Sequence, residues 1–213
     1  MRAIIENTMT FVKETFEKEY SGHDVWHTMR VYKLATNLAK EEKANLFTVQ
    51  LAALLHDVDD YKLSKDTYPT KQKTRDFLKS QGLDEASIES IVHIIDQVSF
   101  KGSDSQVPDT LEGKCVQDAD RLDAIGAIGI ARAFTFGGHH NRVLYDPSIP
   151  PQLHMDEKTY RNHVSTTINH FYEKLFLLEK MMNTESAKKI ASHRQHVMQE
   201  YMNEFLLEWE GEK

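Results

Sequence analysis

Residues 51–60 read LAALLHDVDD: five apolar side chains, Leu51 to Leu55, run straight into His56, Asp57, Val58, Asp59 and Asp60. A helix that is apolar on every side is buried among other helices, so this stretch belongs at the centre of a helical core. The pattern predicts a helix over residues 44–59 whose last turn carries a histidine and two carboxylates, with a third, Asp60, directly after it. Acids at a helix C-terminus oppose the helix dipole, and an isolated charge buried beside apolar residues costs on the order of several kcal/mol. A bound cation relieves both penalties. A solvated helix end is the alternative.

Outward from this segment the helical period continues in both directions. Apolar positions at Ile4, Ile5, Met9, Phe11, Val12 and Phe16 mark a first helix ending near Ser21 and Gly22, and a second spans residues 24–40. A surface loop over 62–71 contains Pro69, and helices follow over 70–80 and 84–98, separated by a stop at Gly82. Residues 99–110 form a connection. One helix is expected over 111–134, running through Gly126 and Gly129 as small residues that let two helices approach. Gly137 to His140 and Pro147 to Pro151 bound a longer loop, and helices over 157–182 and 185–208 complete an all-α chain.

At 213 residues the chain is long enough for one sizeable core, so a single domain over 1–213 is expected. Lys plus Arg total 26 against 33 Asp plus Glu, a formal charge of -7, which argues against a nucleic acid polymer as partner. Small phosphorylated ligands stay open, because a local cluster of metal, Arg and Lys can hold them inside an acidic protein. The single cysteine, Cys115, excludes an internal disulfide and a multi-thiolate zinc site. With charges throughout the N-terminal segment and no long apolar stretch, a cytoplasmic protein without a membrane partner is expected, monomeric or homodimeric.

Two further segments carry chemistry. In GHDVWHTMRV, residues 22–31, His23 and His27 lie four apart and Arg30 three further on, sharing one helix face. Imidazole binds borderline metals and the guanidinium fork suits phosphate; a partly exposed polar face explains this segment equally well. In VQDADRLDAIGA, residues 116–127, Asp120 and Asp123 neighbour each other on a helix face while Asp118 points elsewhere, as an N-cap or a supporting group. Only one of the three need be a ligand, and capping or ion pairing with Arg121 is the alternative for all. His139, His140, His154, His163, His193 and His196 lack a second ligand at metal spacing, and His93, within Ile91 to Ile95, is expected in the core or lining a pocket.

The order His, then His-Asp, then Asp resembles the HD-domain superfamily of metal-dependent phosphohydrolases. The wording of the three segments, with the tail NHFYEKLFLLEKMMNT at 169–184, is similar to its small bacterial YpgQ/YedJ-like subfamily. The resemblance implies a single compact helical HD-domain fold. It places the metal ligands on His27, His56, Asp57 and Asp120, with Asp118 as the rival of Asp120. A water-positioning acid falls on Asp60, where several relatives have Glu. Arg30 and Lys62 would clamp phosphate, with His23 beside them. If the third helix continues through this segment, Asp60 lies one turn beyond His56, and Asp59, rotated by about 100°, faces solvent.

The implied activity is hydrolysis of (deoxy)nucleoside triphosphates to monophosphate and pyrophosphate. A nucleoside monophosphate phosphatase and a non-catalytic nucleotide sensor are the alternatives. Mixed nitrogen and oxygen ligation suits Mn, Fe, Co, Ni or Zn more than Ca; the expected cofactor is a divalent metal ion, Mn foremost, with Mg also open.

Overall fold

Ten α-helices and two 3-10 helices, with no strand, make up the residues described by the computed structural model, namely 1–17, 24–60 and 66–213 with the side chain of Arg161 left aside. The all-α expectation holds. The chain divides into two compact units, one of residues 1–100 and 105–120, the other of residues 101–104 and 121–213.

In the first unit α3 (Leu46–Leu55) packs against α1 (Arg2–Thr15), α2 (Val25–Glu42) and α5 (Glu85–Asp96). Leu51, Ala52, Ala53, Leu54 and Leu55 are all fully buried, as an all-round apolar helix requires, and each leucine contributes about 1.5–3 kcal/mol of burial. Helix starts are set by capping side chains: Asp24 accepts from the His27 amide at 2.7 Å, Asn45 from Thr48 at 3.1 Å and Asp84 from Ser87 at 2.9 Å. Gly82, at φ +79°, ends α4 (Gln72–Ser80) as expected. α6 (Leu111–Asp123) contributes to this unit as far as Asp120. α1 ends at Thr15, short of the end expected near Ser21 and Gly22, with the Phe16 N–H donating to the Val12 carbonyl at 3.0 Å as the helix closes.

The third helix is shorter than its periodicity predicts. α3 stops at Leu55, and residues 56–60 turn, with Val58 N–H donating to the Leu55 carbonyl at 3.1 Å and Asp60 N–H to that of Asp57 at 3.0 Å.

In the second unit α7 (Gly126–His139) and α10 (Glu185–Trp209) pack together, joined by α8 (Glu157–Asn162), α9 (Thr167–Glu173) and a 3-10 helix at Leu175–Met181. The single helix expected over 111–134 is therefore two. Gly126 takes φ +75°, and a Cβ at Gly129 would sit 2.3 Å from the Ala124 carbonyl oxygen, so the glycines permit a break; Gly126 also lets α10 approach closely, since a Cβ there would lie 2.9 Å from Arg194 Cγ. Asp123 and Arg132 bridge that break at 2.9 Å, and Arg194 donates to the Leu122 carbonyl. Gly137 and Gly138, expected in a loop, continue α7. The helix expected over 157–182 is likewise broken after Asn162 and Glu173.

Candidate metal centre

The site is assembled entirely within the first unit. Asp24 caps α2 and so fixes its first turn, which carries His27, 1% exposed. His56 follows the last residue of α3. Its Nδ1 lies 2.8 Å from the Ala53 carbonyl oxygen, which can only accept, so Nδ1 carries a proton and Nε2 is the nitrogen whose lone pair the neutral ring presents. That Nε2 is buried and has no hydrogen-bond partner. The two imidazoles stand edge to face with centroids 5.4 Å apart.

Asp57 leaves the turn with Oδ2 at 3.3 Å from His27 Nε2 and 3.4 Å from His56 Nε2. Asp120, on α6, places Oδ1 at 3.5 Å from His27 Nε2 and 3.8 Å from His56 Nε2. One turn earlier the buried Gln117 anchors α6 by donating to the carbonyls of Gln97 at 2.7 Å and Gln106 at 2.9 Å. These nitrogen–oxygen separations exceed the usual hydrogen-bond distance of about 2.9 Å. Donors held about 2.1 Å from one cation stand about 3.0–3.4 Å apart, by octahedral or tetrahedral geometry. His27, His56 and Asp57 keep their ligand atoms within 4.8 Å of one another, so the donor set and the buried lone pair both fit a divalent cation.

The geometry thus brings Asp120 toward the histidines. Asp118, two residues earlier and about 200° around the helix, is fully buried. Burial, and next the charge of Asp118, push the Cys115 thiol up to about 12. Arg30 is half-buried on α2, and Asp60 is half-buried where the turn ends. His23 and Lys62 lie outside the described residues.

Two expectations are corrected. Asp59 does not face solvent: it is 1% exposed, accepting from the Thr74 amide at 2.9 Å and the Lys73 amide at 3.3 Å. Its partners lie on α4, and no local pattern in the sequence signals a capping residue so far upstream. His93 is not in the core. On α5 the neighbours Ile91, Val92, Ile94 and Ile95 take the buried positions, leaving His93 exposed and paired with Asp109 at 2.9 Å. In the second unit His163 bonds Glu173 at 3.0 Å.

The HD domain family model matches residues 25–125. The chain is 38% identical over 201 residues to the YpgQ protein of Bacillus subtilis (strain 168), covering 93% of this chain and 90% of that one. Among solved structures, a Lactobacillus plantarum protein aligns with TM-score 0.89 at 43% identity over 99% of each chain. An HD-superfamily hydrolase from Bacillus thuringiensis aligns with TM-score 0.77 at 42% identity over 98% of each. B. subtilis YpgQ in complex with ADP aligns with TM-score 0.76 at 36% identity, over 94% of this chain and 95% of that one. Among the described residues no helix is long and apolar enough to cross a membrane.

Proposed function

Since the chain belongs to the HD superfamily of hydrolases, we propose that it is a metal-dependent nucleotide phosphohydrolase, converting (deoxy)nucleoside triphosphates to monophosphate and pyrophosphate. The observation that carries this is the approach of an Asp57 oxygen and an Asp120 oxygen to within 3.3–3.8 Å of the His27 and His56 Nε2 atoms, the latter without a hydrogen-bond partner. The nucleotide part draws support from the ADP complex of the YpgQ relative.

His27, His56, Asp57 and Asp120 would hold the cation, Mn foremost. When bound, it supplies Lewis acidity, lowering the pKa of water to about 7 in favourable sites and withdrawing charge from a phosphoryl oxygen. Asp60 takes the proton of the attacking water, whose oxygen bonds to the α-phosphorus. The bond from that phosphorus to the bridging oxygen breaks, and pyrophosphate leaves with the electron pair. Arg30, three residues after His27, clamps phosphate oxygens by its planar fork, with Lys62 and His23 assisting.

Deoxyadenosine triphosphate incubated with Mn-loaded protein and followed by phosphorus NMR should give monophosphate and pyrophosphate with no diphosphate intermediate. Orthophosphate with diphosphate as first products would place the cleavage elsewhere. Orthophosphate from monophosphates alone would make the protein a phosphomonoesterase, and nucleotide binding without turnover would make it a sensor.

A further inference from the structure

Immediately beyond the doublet, the turn of residues 56–60 is held from its far side by contacts that the hydrolytic chemistry does not require. Asp57 points to the histidines. Asp59, two residues on, is buried, and its two oxygens accept from the amides of Lys73 and Thr74 in the first turn of α4. The residue preceding α4, Lys71, sits at φ +52° and supplies no side-chain cap of its own. Asp59 therefore performs the N-cap role for α4 from a distant position in the chain, gaining both hydrogen bonds and the favourable end of the helix dipole.

Lys71 completes the fastening. It is 5% exposed, with Nζ at 3.5 Å from the Asp59 carbonyl oxygen, 3.5 Å from Asp96 Oδ1 on α5 and 3.9 Å over the Tyr68 ring. A lysine at positive φ persists only where its surroundings determine the backbone strongly, and here the Asp59 carboxylate and carbonyl are both engaged. The turn that carries Asp57 is thus tied to α4 through a side chain and to α5 through Lys71.

We infer that Asp59 is the positioning residue of the doublet: its clasp on α4, backed by Lys71, presets Asp57 against the two histidines and so sets the affinity for the cation. The inference rests on the metal reading given under Proposed function. Groups that orient metal ligands from behind typically govern affinity by about 10- to 100-fold.

Asp84 supplies the control within the same unit. It caps α5 by the same chemistry, with Oδ1 at 2.9 Å from the Ser87 amide and Oδ2 at 2.9 Å from its hydroxyl, yet it adjoins no proposed ligand. Mn affinity would be measured by calorimetry on chelator-treated wild type, Asp59→Ala, Asp59→Asn and Asp84→Ala, with helicity checked by circular dichroism. Asp59→Ala should bind Mn about 10- to 100-fold more weakly. Asp59→Asn, which keeps one carbonyl acceptor and is the milder change should Asp59→Ala fold poorly, should recover part of that loss. Asp84→Ala should bind as wild type does. Wild-type affinity in Asp59→Asn and in a folded Asp59→Ala, or equal losses in the Asp59 and Asp84 variants, would overturn the inference while leaving the metal reading intact. A wild-type protein that takes up no Mn would remove the metal reading and this inference together.

Discussion

Two histidine–carboxylate groupings in the first unit use the same chemistry to opposite ends. His93 and Asp109 approach to 2.9 Å with side chains 52% and 61% exposed. His27 and Asp57 stand at 3.3 Å with side chains 1% and 8% exposed, beside a second histidine and Asp120. The exposed pair is closer, and each partner satisfies the other in water, where such a contact is worth little. The buried grouping is wider and gathers more ligand atoms than its own hydrogen bonds use, with the His56 Nε2 left over. Proximity alone therefore does not mark a functional histidine. Burial combined with an excess of donor atoms does, because buried polar groups are normally satisfied and leaving one unsatisfied costs about 1–3 kcal/mol.

The largest effect expected from this contrast is in the buried grouping. His56→Ala or Asp57→Ala should abolish both metal content, by elemental analysis, and hydrolysis, while far-ultraviolet circular dichroism remains helical. Retention of stoichiometric metal by either variant would remove the assignment. The same measurement separates the two acids of α6. Asp120→Ala should lose metal, whereas Asp118→Ala, whose buried carboxylate lies on the other side of the helix, should keep at least part of it. The reverse pattern would move the ligand two residues upstream.

A smaller effect is expected at Asp60. Proton transfer or water orientation by a positioned carboxylate contributes about 10²- to 10⁴-fold in rate. Asp60→Asn should therefore keep its metal and bind a nonhydrolysable nucleotide as wild type does, yet lose turnover by that factor in single-turnover assays. Asp59→Asn should instead act through metal affinity, so excess Mn should restore its rate but not that of Asp60→Asn. If excess Mn rescued Asp60→Asn equally, Asp60 would be a supporting residue and not the proton acceptor.

How much of this was legible in the sequence depended on the distance over which each feature is decided. The buried centre was readable because LAALLHDVDD keeps its apolar run and its polar end adjacent, whereas the grouping of His27, His56, Asp57 and Asp120 was implied only by the family resemblance. Asp24, Asn45 and Asp84 act within three residues, so most helix starts fell within a residue or two of expectation. The end of α3 was misplaced because Asp59 is drawn to amides 14 and 15 residues later, a partner that local periodicity does not contain. The break between α6 and α7 was missed because Gly126 and Gly129 fit a close-packed helix as well as a turn, and only the positive φ of Gly126 decides between them. The exposure of His93 is contained in the helical period itself: with Ile91, Val92, Ile94 and Ile95 buried, the residue between them faces outward.

The smallest effect belongs to the exposed pair, and it sharpens the comparison by being confined to acid. The hydrogen bond from His93 holds the Asp109 carboxyl below the usual carboxylate range. A carboxylate whose folded-state pKa is depressed adds stability above its unfolded value, about 3.9, and that contribution is lost as pH falls through the lower folded value. His93→Ala should therefore lower the melting temperature slightly at neutral pH and converge with wild type as pH drops through and below that window. Because both side chains are largely exposed, 1 M salt should erase most of the difference. Metal content and turnover at neutral pH should match wild type, since neither His93 nor Asp109 contributes a donor to the His27, His56 and Asp57 grouping. Loss of metal in His93→Ala would show that the exposed pair is coupled to the buried one, and the distinction drawn between them by burial and donor excess would fail.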